Sequence, residues 1–336
     1  MIAMRIASGA AALLLLASAA QAEWQVVKKF QIGGAGGWDY LTVDAQTHRL
    51  YVPRSTHTMV LDTESGKVVA DIPGQKNAHG VALAPASGRG FISDGGGDGA
   101  ILVFDLKTNE VLGSLHAMPD ADGIIFDPTS YCVLVVSGRG KALMSFKPDI
   151  DLKQGKIDEP IALRGEPEFL AASPSGEVYI NLMDTNEVAV VNLKTRSIAA
   201  YWPVAPGGAP VGMAIDTKNS RLFIGCRKPQ KLIVMSTKTG KVIADMPIGE
   251  SVDAVKLDSG QAFASTAGAQ LFVAAETSGK FAIAQTVQTG EGARTMALDP
   301  ASHRIYLPSA EYETGANGRK SPKPGTFTIL VAAREK

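Results

Sequence analysis

Cysteine is almost absent from this chain: Cys132 and Cys226 are the only two in 336 residues. Two thiols cannot frame a disulfide scaffold. With no Cys-x-x-Cys spacing, the sequence excludes a thioredoxin-type centre, a paired-cysteine zinc site and a haem attachment pair. His-Glu-x-x-His and Gly-x-Ser-x-Gly are missing as well, so zinc-protease and serine-hydrolase chemistry have no support. Neither sign of charge is in excess. Lys and Arg together number 33, as do Asp and Glu, for a net charge of zero. A balanced chain lacks the basic stripe that a nucleic acid or an anionic membrane surface would recognise. Beyond residue 22, no apolar run is long enough to span a bilayer.

The one long apolar run lies at the start. Arg5 precedes Ala10 to Ala20, and Ala20-Gln21-Ala22 makes a small-x-small site. This reads as a secretory signal peptide, residues 1–22, cut before Glu23. No Cys follows the cut, so no lipid anchor is expected. The mature chain is expected in the periplasm or the medium.

What the chain has in abundance is repetition. Thr42-Val43-Asp44-Ala45-Gln46-Thr47-His48-Arg49-Leu50-Tyr51-Val52-Pro53 returns as Ala297-Leu298-Asp299-Pro300-Ala301-Ser302-His303-Arg304-Ile305-Tyr306-Leu307-Pro308. Each copy is an apolar run, a polar turn, then a β-branched and aromatic run, which is the pattern of two antiparallel strands and their hairpin. Weaker copies open their turns at Ala84, Asp127, Ser173, Asp216 and Asp258, so the seven copies follow one another at steps of 40 to 46 residues. Four short strands per copy at that period specify an all-β, seven-bladed β-propeller with four-stranded antiparallel blades over residues 23–336. A single domain is expected, because a blade can bury its faces only against its neighbours. Glu23 to Ile32 reads as a lone strand, and Thr326 to Ala332 as a third strand with no fourth behind it. The N-terminal strand is therefore expected to complete the last blade and close the ring. Cys132 and Cys226 fall in non-adjacent blades, too far apart to bridge. Residues 148–160, rich in Asp and Lys, read as a solvated excursion.

The second strands read Tyr51-Val52-Pro53-Arg54, Phe91-Ile92-Ser93-Asp94, Tyr179-Ile180-Asn181-Leu182 and Tyr306-Leu307-Pro308-Ser309. In these degenerate motifs the chain resembles the YVTN-repeat β-propeller family, the YncE-like secreted bacterial propellers. The resemblance covers residues 23–336 and implies the fold. It also carries a DNA-binding reading, which the neutral charge counts against. Propellers host unrelated activities, so a site has to be argued from the residues.

The innermost strand of each propeller blade starts at one rim of the central channel. Five residues before each turn stand Asp39, His79, Asp122, Glu168, Val211, Asp253 and Arg294. Six of the seven are ionisable. The next register holds Tyr40, Gly80, Gly123, Phe169, Gly212, Ala254 and Thr295. Carboxylates crowded into a narrow mouth raise one another's pKa or recruit a cation. Asp39, His79, Asp122, Glu168 and Asp253 are thus candidate ligands for a divalent metal ion, the one cofactor the ring allows, whether Ca²⁺, Mg²⁺, Mn²⁺ or, less well, Zn²⁺. Arg294 could clamp a carboxylate or phosphate. The competing explanation is that polar residues line this mouth because water fills it.

Two functional readings follow. The first is a monomeric ligand-binding or interaction module that takes a small molecule or a protein partner at the channel face. The second is a metal-assisted hydrolase or lyase, with His79 or Glu168 as acid or base, Asp122 and Asp253 holding metal, and Arg294 orienting an anionic substrate. Loops between second and third strands open on the same rim and bring Arg54, Arg227 and Tyr312. The last of them, 309–325, is long enough for a lid or an insertion. Gly33 to Gly37, ahead of Trp38, is either a close approach to a ligand with Trp38 as a stacking wall or a sharp connection between blades. Two motif matches fail on context. Gly95 to Ala100 spells a dinucleotide fingerprint but joins antiparallel strands, and Asp120 to Gly123 begins a calcium loop that meets Tyr131 where its closing Glu should stand.

Overall fold

Both complete hairpins form in the register their sequences specify. Thr42–Asp44 pairs with Arg49–Pro53, and Ala297–Asp299 with Arg304–Ser309. His48 and His303 close these turns with φ of 54° and 57°. Asp44 and Asp299 each accept the backbone N–H two residues on, so these positions are turn chemistry. The computed structural model describes residues 23–315 and 318–334; the signal-peptide segment lies outside them. Apart from one 3₁₀ turn at Pro85–Ser87, the regular elements among the described residues are all strands. No helix among the described residues is long and apolar enough to cross a membrane.

The strands assemble into seven blades. Five are separate four-stranded sheets. Blade 3 opens with Ala121–Asp127, blade 4 with Pro167–Ala172, blade 5 with Pro210–Asp216 and blade 6 with Val252–Asp258. Blade 7 takes its outer strand from the other end of the chain, as expected: Trp24–Gln31 pairs with Thr328–Arg334. Blades 1 and 2 share one strand. Val68–Ala84 is the outer strand of blade 1, against Ser55–Asp62, as far as Ala78; beyond it the same strand is the inner strand of blade 2, against Arg89–Asp94.

Middle strands are sandwiched between neighbouring blades and buried on both faces, as Ala142–Phe146 is throughout. Outer strands alternate between exposed and covered positions, as Lys280–Glu291 does over most of its length, because only one face meets a neighbour. The apolar layers lie between blades. Phe91 and Val103 of blade 2 pack on Val133, Met144 and Phe146 of blade 3, each worth about 1.5–3 kcal/mol when fully buried. Residues 148–160 differ from the expectation. Ile150, Leu152 and Ile157 pack against that same layer, and Arg89 donates to the Pro148 and Ile150 carbonyls. Three apolar anchors outweigh the Asp and Lys content, and the excursion is a cover. Both cysteines are free thiols.

Candidate ligand site at the channel mouth

One local device aims the ring residues. In blades 2 to 5 the inner strand carries two residues opposite a single residue of the second strand, always at the same place. The extra pairs are His79–Gly80, Asp122–Gly123, Glu168–Phe169 and Val211–Gly212. In blade 6 the extra residue is Asp253. Such bulges leave residues out of the ladder and re-aim their side chains. In blades 7 and 1, Arg294 and Asp39 lie just before the inner strands. The glycines beside the ring have a steric cause. A Cβ on Gly123 would stand 2.6 Å from the Glu168 carbonyl, and one on Gly212 would stand 2.7 Å from that of Asp253. Adjacent blades press their bulges together too closely for any side chain there. Blade 5 leaves a gap in the polar ring, since Val211 is wholly buried in an apolar cluster.

Asp39, His79 and Asp122 converge. His79 Nδ1 lies 2.7 Å from Asp39 Oδ2 and 3.5 Å from Asp122 Oδ1. The first is a hydrogen bond that takes the single N–H of Nδ1, so Asp122 Oδ1, fully buried, has no hydrogen-bond partner. On the far side of the imidazole, the Asn77 side-chain amide lies 2.8 Å from Nε2. Burial opposes the charged imidazolium, but the Asp39 hydrogen bond and the charges of Asp122, Asp39 and Asp120 outweigh it and raise His79 to about 9. Asp122 is held well above the usual carboxylate range by burial; His79 pulls it down, while Asp39, Glu168 and Asp253 push it further up. Sequence reasoning missed Asn77, whose only signal was its place two residues before His79.

Across the mouth, Asp253 has a different fate. Arg227 Nη2 lies 2.6 Å from one of its oxygens and Arg294 Nε 2.8 Å from the other. Burial lifts it to about 6 against the pull of Arg294 and Arg227, so it is ionised at neutral pH and clamped. It is not available as a metal ligand, and Arg294 is not a free clamp for a substrate anion. Glu168 stands between the two groups with no hydrogen bond or ion pair among the described residues. Burial and the Asp253 charge lift its carboxyl to about 7, partly offset by Arg227.

Other rim candidates turn out to be structural. Arg54 is 1% exposed and donates to the carbonyls of Gly37, Gly33, Ala35 and Gly36, with its guanidinium 3.7 Å from the centre of the Phe327 ring. The glycine run is thus an inter-blade connection wrapped around a buried arginine. Trp38 is no stacking wall: it is buried against Phe327 and Tyr312, and Nε1 donates to the Gly292 carbonyl. The long last loop carries a small hairpin, Tyr312–Thr314 with Lys320–Pro322, tied down by a Lys320–Glu291 ion pair.

Solved structures resemble this architecture. The WD40 β-propeller domain of Doa1 superposes with a TM-score of 0.72 at 12% identity, covering 93% of this chain and 98% of its own. A chain of Kuenenia stuttgartiensis hydrazine synthase does so with a TM-score of 0.70 at 12% identity, covering 86% of this chain and 95% of its own. This chain is a β-propeller. At such identity the likeness establishes the fold alone. No protein-family model matches the chain, and no curated protein matches it by sequence.

Proposed function

We propose that this protein is a secreted, monomeric, ligand-binding propeller of the YncE-like, YVTN-repeat kind, whose channel mouth binds a divalent cation through Asp39, His79 and Asp122. One observation carries the reading: a ligand atom from each of these residues lies within 4.8 Å of the others, and the buried Oδ1 of Asp122 has no hydrogen-bond partner. A cation held there takes the place of the Nδ1 proton and draws on both carboxylates. With Nδ1 given to a metal, Nε2 would carry the proton. The Asn77 amide, which presents Nδ2 to Nε2 in the metal-free protein, would have to turn its oxygen there to accept from Nε2–H and support the histidine. Mixed oxygen and imidazole ligands suit Mn²⁺ first, with Zn²⁺, Mg²⁺ and Ca²⁺ as comparisons. The signal-like first 22 residues support export, since the first strand, Trp24–Gln31, starts directly after them. Ring closure by that strand supports a monomer, because it leaves no open seam for a second copy.

A hydrolase or lyase at the same mouth is the second reading. Its supporting observation is Glu168, an unpaired carboxyl raised to about 7 beside the cluster and so poised to exchange protons at neutral pH. Thermal melts in EDTA, then with each ion added singly, test the metal reading. Mn²⁺ is expected to raise the melting temperature of the wild type and of Arg294→Ala but not of Asp39→Asn/Asp122→Asn. A flat response to all four ions overturns it.

A further inference from the structure

Beside the ring, inner-strand residues line a half-open cavity of about 330 Å³, within the range of small-molecule sites. Its walls include Tyr40, Leu83, Ile124, Phe126 and Phe169, and no carboxylate lines it. Tyr40 and Phe169 pack with ring centres 4.8 Å apart and follow Asp39 and Glu168 in the chain, so this aromatic pair separates the acidic mouth from the cavity. One charged group enters that space. Lys256 extends from blade 6, and its Nζ lies 5.5 Å from the centre of the Phe169 ring of blade 4. It has no ion pair or hydrogen bond among the described residues.

Register makes Lys256 exceptional. It pairs with Phe263 of the second strand, and the equivalent inner-strand positions are Thr42, Ala82, Ile125, Ala171, Ala214 and Ala297. Of these, Thr42, Ala82 and Ile125 line the cavity, so Lys256 is the one charged side chain that this column brings to it. Lys256 is only half-buried, and a cation with no partner beside aromatic and aliphatic side chains gains when a group of opposite charge joins it. Burial lowers the Lys256 pKa, with no charged neighbour contributing. With no carboxylate in the cavity lining and no ion pair at Nζ among the described residues, the ring carboxylates do not serve as the lysine's counter-ion.

We propose that this cavity is a second binding site, for a small organic carboxylate, with Lys256 holding the anion and the Tyr40–Phe169 pair covering its apolar body. The site is independent of the cation at the mouth. Isothermal titration with benzoate and hexanoate, beside the neutral benzyl alcohol and hexanol, tests it in the metal-free protein. At least one carboxylate is expected to bind saturably and at least tenfold more tightly than its alcohol. Lys256→Met, which keeps the apolar stem and removes the charge, is expected to abolish that preference, while Asp122→Asn is expected to keep it. Binding of neither carboxylate, equal affinity for acid and alcohol, or an undiminished preference in Lys256→Met overturns the proposal. If Lys256→Met fails to fold, the acid–alcohol comparison in the wild type still decides.

Discussion

Two arcs of one ring both place carboxylates at the same register and reach opposite electrostatic states. On blades 5 to 7, the single carboxylate of Asp253 is held by two guanidinium groups, Arg227 and Arg294. On blades 1 to 3, a single imidazole serves two carboxylates, Asp39 and Asp122. The first arc is a closed ion-pair network. The second has fewer positive groups than negative ones, and its one proton stands where a metal ion could. Site-forming capacity therefore comes from charge left uncompensated within reach of several ligands, and an acidic residue at the rim is not by itself a site.

Substitutions can break or sharpen that contrast. The largest effect is expected from Asp253→Asn, which strips two arginines of their partner and should cost about 2–3 kcal/mol in chemical denaturation. Asp122→Asn, at the same ring position, should do the reverse and stabilise the metal-free protein by about 1 kcal/mol, because it removes a buried, crowded carboxyl with an unpaired oxygen. If both variants lose stability alike, the two arcs are not different in kind.

Titration gives a subtler contrast. His79 is raised from 6.5 to about 9 and Glu168 from 4.5 to about 7, so the folded state holds protons that the unfolded chain has released. The Glu168 contribution to metal-free stability is then full below pH 4.5 and lost as pH rises through about 7. The His79 contribution is full below 6.5 and lost through about 9. Melting temperatures across pH 4–10 should fall in these two windows. Glu168→Gln should flatten the lower and Asp39→Asn the upper. The smallest effect is expected at His79 itself: Asp39→Asn should lower its pKa, read from the imidazole NMR signals, while Arg294→Ala should leave it nearly unmoved.

Much of the fold could be read from the chain because a propeller repeats its local chemistry: seven turn openings, each a fixed distance after the start of an inner strand. The ring was legible for the same reason, since the bulge recurs at that distance and carries His79, Asp122, Glu168 and Asp253 with it. Which ring residues pair was not legible. Arg227 comes from the second strand of blade 5, off the ring register, and the 2.8 Å contact of Asn77 with His79 rests on side-chain geometry that a spacing of two does not fix. Arg54 was placed at the rim because its need for several carbonyls, which Gly33 to Gly37 supply only after folding, does not show in the sequence. For that glycine run and Trp38, of the two alternatives the sequence left, the inter-blade connection holds. Lys256 was visible as the one charged residue in a column otherwise of alanine, threonine and isoleucine, once the seven copies were placed in register. Residues 148–160 misled by composition, since three apolar side chains decide where that excursion sits.

The central claim is that the acidic arc, and not the arginine-clamped one, holds a cation. Anomalous diffraction from a Mn²⁺-soaked crystal tests it most directly. The predicted result is one strong peak with an oxygen of Asp39, an oxygen of Asp122 and Nδ1 of His79 at about 2.0–2.3 Å, as metal–ligand bonds require. No peak at the mouth, or one at Asp253 with the arginines displaced, would contradict the account.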